Sequence, residues 1–531
     1  MAFDSAEFTL AGYQECRDLL GRAPWAYGEE SLRGAVLEEA LLEPSPFAFL
    51  FKGKGYHALY HSLTLRKLYG DRQLAACLSP PHRPRMLGEY LTLLRSAESS
   101  DPFGTAGLLI ENGFLVPAGG RESDLLAAWR HNPRFLSPAI SLMYLLSTND
   151  CNLRCRYCSV ESKQRKPTSF PFSFMDPATA RAGIDLFAGL LPAGVLEPKV
   201  IYYGGEPFLN RETFLASLAY IRERERQGAF QDRPVEVSIV SNGTLIDEDL
   251  ARELKRFSVN VSVSLDGMAR HHDAMRVYRD GRGSWEDAVR GYRLIVKHLG
   301  RCGISCTLGP HNYRDAEEIA EYFATRLECR GLGFNILKGL PPGNDLEVPA
   351  SEVTEEIIRA FKVLRRFGIY EDRIMRKVKS FVNEEPWVHD CGGYGGQIAL
   401  CADGFLGPCQ IAADDHRFLW GHVSEKDIGS RILHGELTGC WARRTPLLME
   451  QCRDCVGLGI CGGGCADEAA VKHGDIYALD EAFCSHCKTL IAWMMDDLAA
   501  QLFPRREAQG VHLPVRKASL TGSAGHCPSC G

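Results

Sequence analysis

Cysteine is the residue type whose spacing here carries chemistry. Of the 20 cysteines in 531 residues, three stand together in Cys151-Asn-Leu-Arg-Cys155-Arg-Tyr-Cys158. Three thiolates on one short loop can bind three corners of an iron–sulfur cube and leave the fourth iron open to another ligand. Zinc is the competing reading, but structural zinc is usually held by paired knuckles, and no second knuckle lies near this trio in the sequence. A second group reads Cys391, twelve residues, Gly404, four residues, Cys409. It continues as Cys452-x2-Cys455-x5-Cys461-x3-Cys465 and ends, eighteen residues later, at Cys484. Cys401 and Cys487 lie within or beside this array, and Cys527 and Cys530 form a CxxC near the end of the chain, a spacing that can bind metal or cycle between thiol and disulfide. Cys16, Cys77, Cys302, Cys306, Cys329 and Cys440 follow no ligand spacing and read as small buried apolar residues.

Composition narrows the setting. Twenty cysteines in 531 residues fall below the ~8–10% that marks a disulfide scaffold. The opening MAFDSAEFTL has no basic or apolar signal region, and no apolar run approaches the ~20 residues of a membrane span. A cytoplasmic, reducing location without a membrane partner is therefore expected, where clustered cysteines read as metal ligands or redox groups. Lys+Arg total 61 against 67 Asp+Glu, a net charge of −6, which argues against a nucleic-acid partner. With 45% hydrophobic and 24% charged residues, the chain can bury more than one core, and at ~150 residues per domain its length suggests about three to four units.

The thiols need elements to hold them. Residues 136–340 alternate short apolar or β-branched segments (ISLMYLLST, PKVIYYGG, VEVSIVSNG, NVSVSLDG, CGISCTLG, LGFNILKG) with helical stretches such as ATARAGIDLFAGLL. Such βα alternation implies an α/β fold with a parallel sheet, open or curled, and a site at the C-terminal ends of its strands. Residues 1–135 read as a small α+β domain, with a hairpin at Lys52-Gly53-Lys54-Gly55 and a turn at Asn112-Gly113. Residues 341–390 read as a helical linker, 391–495 as a Cys- and Gly-rich unit that needs metal to fold, and 496–531 as a flexible tail.

The Cys-x3-Cys-x2-Cys loop after the first of these strands resembles the signature of the radical S-adenosylmethionine enzymes. The resemblance implies a partial (β/α)6 TIM-like barrel. It also implies that Cys151, Cys155 and Cys158 hold a 4Fe–4S cluster whose open iron takes the amino and carboxylate groups of S-adenosylmethionine. Cleavage of the sulfonium then yields a 5′-deoxyadenosyl radical that removes hydrogen from a substrate. Tyr203-Gly204-Gly205-Glu206-Pro207 is similar to the family's GGEP, which meets the methionine amino group. Glycines there suit a close backbone approach, and a carboxylate suits an ammonium. Ser241-Asn242-Gly243-Thr244 resembles TNGT, and Ser264-Leu265-Asp266-Gly267 resembles SLDG. His272-Asp273 with Arg276 resembles HDxxR, and Gly281-Arg-Gly-Ser-Trp285 resembles GxGSF. By resemblance, Ser264 and Arg276 hold the methionine carboxylate, a task for which the permanently charged Arg fork is apt. Tyr157 would lie near the adenine and Ile336 and Leu337 would pack on it; apolar strand residues such as these are equally read as core.

The seven-cysteine array closely resembles the SPASM extension of the same enzymes, which binds two auxiliary 4Fe–4S clusters. Carried over, Cys391, Cys409 and Cys465 bind the first, and Cys452, Cys455, Cys461 and Cys484 the second, making three clusters in all. Cys401 and Cys487 are candidate extra ligands. If neither binds, the first auxiliary cluster keeps an open iron for a substrate thiolate.

Many enzymes of this group modify peptides, and residues 1–135 resemble in pattern the small winged-helix-type unit that recognises leader peptides by adding a strand to a sheet edge. The implied function is a maturase of a ribosomally made, cysteine-containing precursor peptide that forms a thioether crosslink, with flavodoxin or ferredoxin as electron donor. Alternatives are carbon–carbon crosslinking, thioether maturation of an amine dehydrogenase subunit, and formylglycine formation in a sulfatase. A non-catalytic iron–sulfur peptide adaptor would show a degenerate GGEP or a lost member of the trio, and both motifs are intact.

Overall fold

The structure, a computed structural model, describes residues 41–78, 82–118, 126–127, 129–131, 139–158, 173–194, 197–338, 340, 343–503 and 516–517. Cys16, Cys527 and Cys530 lie outside the described residues. The strands of the N-terminal part are β1 (Leu41–Pro44), β2 (Ala48–Gly53), β3 (Tyr56–His61), β4 (Lys67–Gly70), β5 (Arg85–Met86) and β6 (Leu115–Pro117). Those of the middle are β7 (Leu142–Leu146), β8 (Lys199–Tyr203), β9 (Glu236–Ser241), β10 (Asn260–Ser264), β11 (Gly303–Leu308) and β12 (Gly331–Ile336). β13 (Tyr370–Glu371), β14 (Gln397–Leu400), β15 (Phe405–Gly407), β16 (Gly421–His422) and β17 (Arg516–Lys517) follow.

β7 to β12 pair parallel in chain order, each joined to the next by a helical crossover, which is the partial (β/α)6 barrel. Helices Pro177–Leu190, Arg211–Arg226, Glu248–Arg256, Trp285–Leu299 and Ala316–Thr325 cover its outside. The strands alternate. Val237 and Ile239, Val261 and Val263, Ile304 and Cys306, and Leu332 and Phe334 are buried against these helices. With a period of two, Ser238, Ser262, Ser305 and Asn335 take the opposite, inner face, where Asn335 Nδ2 donates to Ser305 Oγ at 2.9 Å. Cys302, Cys306 and Cys329 sit in this apolar core as small hydrophobes.

The sheet runs past both ends of the barrel. β13 adds parallel to β12, and β14 adds parallel to β7, followed by antiparallel β15 and β16. The segment expected as a linker thus supplies a barrel-edge strand, and the Cys-rich segment begins as an extension of the same sheet. Helix Glu481–Leu502 also runs through the expected boundary at 495, because Leu490, Met494, Leu498 and Ala499 keep burying its apolar face.

In the N-terminal part, β2 and β3 form a hairpin around Lys54-Gly55, with Gly55 at φ 77° as a two-residue turn requires. Two small sheets, in the orders β5-β1-β6 and β17-β4-β3-β2, pack with three helices around Leu59, Leu68, Leu74 and Leu109. Asn112-Gly113 ends helix Pro102–Glu111 and leads into β6. Among the bonds that fasten this part to the rest, Tyr56 Oη donates to Asp496 at 2.7 Å, and buried Lys67 Nζ donates to the Phe381 carbonyl at 2.5 Å. Among the described residues no helix is long and apolar enough to cross a membrane.

Candidate active site

The loop after β7 carries Cys151, Cys155 and Cys158, each partly exposed. It is braced from two sides. Arg154 N–H donates to Val277 O at 2.7 Å and Arg156 N–H to Met275 O at 3.0 Å. From the β9 side, Asn242 Nδ2 donates to Asn152 Oδ1 at 2.9 Å, and Asn152 Nδ2 donates to Thr244 Oγ1 at 2.8 Å. The glycines of the Gly-Gly-Glu-Pro rim let β8 close on this loop. A Cβ at Gly205 would stand 1.9 Å from Asp150 O, and one at Gly204, at φ 119°, 2.6 Å from Thr148 O. In return, Gly205 N–H donates to Thr148 O at 2.9 Å and Glu206 N–H to Asp150 O at 2.8 Å.

Burial raises the thiol pKa values of Cys151 and Cys155, the latter to about 12, and the three thiols add to one another's shifts. Neutral thiols with raised pKa values are what a bound cation reverses, since a coordinating thiol is deprotonated. Among the described residues no three His, Cys, Asp or Glu side chains converge on one point as ligands of a single ion would. A cluster's thiolates reach separate irons and need no such convergence, so the donor set of this loop suits a three-thiolate iron–sulfur site.

Glu206 is 1% exposed and its carboxylate ties two strand ends together. Oε1 accepts from Ser241 Oγ at 2.9 Å and Phe208 N–H at 3.2 Å, and Oε2 from Asn242 N–H at 2.8 Å. Burial pushes its pKa up to about 7 despite these donors. Ser264 ends β10 at the same rim. Asp266 is fully buried. Its Oδ2 accepts from Tyr157 Oη at 2.5 Å and Arg276 Nε at 2.9 Å, and its Oδ1 accepts from Thr307 N–H at 2.9 Å. Burial alone would raise its pKa, but Arg276, His272 and Tyr157 outweigh it and hold the carboxyl below the usual range. Among the described residues Arg276 uses only Nε for this pair, leaving the rest of its fork free beneath the Tyr157 ring, 5.4 Å away.

His272 and Asp273 are braces. Asp266 N–H donates to His272 Nδ1 at 3.4 Å, so Nε2–H donates to Ser284 Oγ at 3.0 Å, and Ser284 Oγ–H donates to Arg276 O at 2.8 Å. Burial drives the His272 pKa down to about 3, keeping the ring neutral. Asp273 Oδ1 accepts the N–H groups of Ser284 and Trp285 at 2.9 Å and so starts the helix Trp285–Leu299.

Three site residues escaped the sequence reading. His311, just past β11, stacks on Tyr157 with ring centroids 6.1 Å apart and an interplanar angle of 28°. Neither of its ring nitrogens has a hydrogen-bond partner among the described residues. Leu337 stands beside Gly309 on the same rim, and Ile336 packs against the core. Tyr203 and Tyr144 meet edge to face at 6.1 Å on the inner side of β8 and β7. The Tyr203 hydroxyl is raised by burial, by Cys158 and by Cys409, and the Tyr144 hydroxyl by burial, by Tyr203 and by Cys391 and Cys409. Thiols of both the first trio and the second array thus act on this pair. For His311 and Tyr203 the signal was a polar or aromatic residue at the C-terminal end of a barrel strand.

The structure sorts the second array into two sets. Cys391, Cys409 and Cys465 act on each other's thiols, which burial raises, Cys391 to about 12. Cys452, Cys455, Cys461 and Cys484 form the other set, with Cys452 raised to about 11 and Cys484 to about 12 by burial and by their neighbours. Gly462, Gly463 and Gly464, at φ 76°, 86° and 71°, turn the chain so that Cys461 and Cys465 serve different sets. Cys401 packs with Leu146, Ala399 and Ala413. Cys487 packs on Cys461 and Phe483. Buried charges surround both sets. Lys377 Nζ donates to Asp390 at 3.0 Å, Cys461 O at 3.0 Å and Ile460 O at 2.9 Å. Lys338 lies 3.5 Å from Asp480, which accepts Cys465 N–H at 3.0 Å.

Residues 145–323 match the Radical SAM superfamily. The radical SAM cyclopropyl synthase TigE of Paramaledivibacter caminithermalis is 21% identical over 459 residues, covering 82% of this chain and 92% of that protein. The serine-type anaerobic sulfatase-maturating enzyme of Klebsiella pneumoniae is 24% identical over 330 residues, covering 59% of this chain and 78% of that protein. The solved structure of native anSMEcpe with bound AdoMet shares the fold, with a TM-score of 0.58 at 18% identity over 68% of this chain and 99% of that one. The domain match starts in β7 and ends in the helix after β11, so residues 145–323 form a radical SAM domain, of the kind that uses a 4Fe–4S cluster and S-adenosylmethionine, in a chain similar along most of its length to an enzyme of the same superfamily.

Proposed function

We propose that the enzyme matures a ribosomally made, cysteine-containing peptide by removing hydrogen from one residue and closing a thioether to another. One observation carries this reading: Cys158 of the first trio and Cys409 of the second array both act on the hydroxyl of one residue, Tyr203. In this reading a peptide carbon held over the first trio and a peptide sulfur held at Cys391, Cys409 and Cys465 lie near one another, and proximity of this kind supplies much of the barrier reduction in a closure reaction.

When bound at the trio, the cluster supplies the electron that turns S-adenosylmethionine into the hydrogen-abstracting species. The chain's own residues do the holding. The free fork of Arg276 takes the methionine carboxylate beside Ser264. The Gly204-Gly205 backbone and the Glu206 carboxylate face the ammonium. Tyr157, Leu337 and His311 wall the adenosine. In this reading the two cysteine sets of the second array hold auxiliary 4Fe–4S clusters, and three thiolates at the first leave room for a substrate thiolate. β2, an edge strand of its sheet, is the place for a leader peptide to add by main-chain hydrogen bonds. Flavodoxin or ferredoxin supplies electrons in a cytoplasmic setting.

The test is to incubate the reduced, reconstituted enzyme with the precursor peptide encoded beside it and to weigh the product. Loss of two hydrogens together with one free thiol is the expected result. Loss of two hydrogens with every thiol intact would instead favour carbon–carbon closure, the reading to which the cyclopropyl synthase relative points. An aldehyde at a Cys or Ser would favour sulfatase-type maturation, in line with the sulfatase-maturating relative.

A further inference from the structure

Lys67, Arg276, Lys377 and Arg444 are the buried lysines and arginines among the described residues. Three of them stand beside a carboxylate: Lys67 lies 3.5 Å from Glu384, Arg276 2.9 Å from Asp266, and Lys377 3.0 Å from Asp390. Arg444 is 0% exposed and, among the described residues, forms no ion pair. Its Nη1 donates to the Met449 thioether at 3.2 Å, a weak acceptor, and its Nη2 donates to the Cys465 carbonyl at 3.3 Å. Its Nε has no hydrogen-bond partner among the described residues. A guanidinium cannot shed its proton to relieve this. A buried charge without a counter-charge is among the costliest arrangements in a protein interior, so this place in the fold calls for an anion.

The position of Arg444 says which anion. Its carbonyl and Thr445 Cα pack on the glycine turn between Cys461 and Cys465, 3.6 Å and 3.8 Å from where a Cβ at Gly463 would stand. Met449, bonded by one arm of the fork, accepts Cys452 N–H on its carbonyl at 2.9 Å and leads into the short turn Glu450–Cys452. The guanidinium thus joins the backbone of Cys465, in one cysteine set, to the segment that carries Cys452, in the other. Thiols become anions when a metal takes their protons. Three or four thiolates outweigh the charge of an iron–sulfur core, so the whole group is an anion.

We infer that Arg444 is a positioning residue, the counter-ion shared by the groups held at Cys391, Cys409 and Cys465 and at Cys452, Cys455, Cys461 and Cys484, and that its charge favours their reduced state. This rests on reading both sets as auxiliary cluster sites. A fixed positive charge beside such a group favours the added electron, so its removal moves the reduction potential downward. The expected size is about a tenfold fall in the reduced-to-oxidised ratio at fixed potential, tenfold being about 59 mV for one electron.

The test uses the full-length chain, reconstituted anaerobically, as wild type, Arg444→Met and Arg444→Lys. Iron and sulfide content and a dithionite redox titration followed by electron paramagnetic resonance are read for each. In Arg444→Met the auxiliary midpoints should fall by about that amount, or auxiliary iron should be lost, while the iron and signal of the first trio stay as in wild type. Arg444→Lys keeps the charge and should keep full iron and most of the midpoint. Full iron with unmoved midpoints in Arg444→Met would overturn the inference. So would an Arg444→Lys protein as impaired as Arg444→Met, which would mark packing of the fork rather than its charge, or iron lost from the trio as fully as from the array. Wild-type protein holding iron for the first trio only would overturn the auxiliary reading and this inference with it.

Discussion

The two cysteine regions are built on opposite principles. The first trio occupies eight consecutive residues, Cys151 to Cys158. Its loop is held by short polar ties to β9 and to residues 275–277, and its thiols stay partly exposed. The second array gathers cysteines from positions 391, 409, 452–465 and 484. It depends on a three-glycine turn, on buried charges and on the packing of a 22-residue helix. A local loop can deliver its ligands as soon as the strands form. A dispersed array needs the tertiary structure first, and metals bound there would in turn add to that structure's stability. The difference suits the proposed division of labour, in which the local loop meets S-adenosylmethionine and the dispersed sets would take electrons and substrate sulfur.

The largest expected effect comes from separating these roles. Cys391→Ala, Cys409→Ala and Cys465→Ala together should abolish the crosslinked product while 5′-deoxyadenosine formation continues, both followed by mass spectrometry. Crosslinking that survives the triple change would break the comparison. Next comes Arg276→Ala. It strips the partner from a fully buried Asp266 and should cost ~3–5 kcal/mol of stability, together with S-adenosylmethionine binding. Arg276→Lys should recover little, because a point charge cannot replace the fork. Thermal unfolding and equilibrium binding check both. Gly205→Ala should be milder, more than ~1 kcal/mol, and should lower iron at the trio alone, because the new methyl must push Asp150 and the thiol loop aside. Equal loss of iron from both regions would contradict the local construction of the first.

Much of the first region was legible because its motifs are contiguous and each has a local physical task. The glycines permit backbone approach, the Asn152–Asn242–Thr244 ties orient the loop, and His272 and Asp273 set the segment that carries Arg276. The sorting of the second array came from its resemblance to the SPASM extension, and the glycine turn between Cys461 and Cys465 makes that crossover physically reasonable. His311, Tyr144 and Tyr203 were not legible as site residues: a single aromatic or imidazole at a strand end looks like core until the inner face is known. Lys338, Lys377 and Asp390 are isolated charges in unremarkable segments, and only folding brings them beside the thiols. The added strands β13 and β14, of two and four residues, are too short to show periodicity.

The smallest effect is in the pH dependence. His272 stays neutral down to about 3 when folded but takes a proton near 6.5 when unfolded. Its contribution is therefore present above ~6.5 and is lost as pH falls toward 3, by up to ~1.4 kcal/mol per unit. Glu206 has the opposite sign. With a folded value of about 7 against 4.5, it stabilises fully below ~4.5, and that stability is lost as pH rises through about 7. The two offset each other between ~4.5 and ~6.5. In His272→Asn the offset is removed, so between pH 6.5 and 5 the variant's unfolding free energy should rise relative to wild type as the pH falls. Parallel urea-denaturation profiles would contradict this.

The central claim is that the trio makes the radical and the array does not. Cys151→Ala, Cys155→Ala and Cys158→Ala in one chain, reconstituted and reduced with dithionite, should give no 5′-deoxyadenosine from S-adenosylmethionine. That chain should still hold about two thirds of the wild-type iron, if each of three sites carries a like cluster. Continued formation of 5′-deoxyadenosine by that triple variant would contradict the assignment.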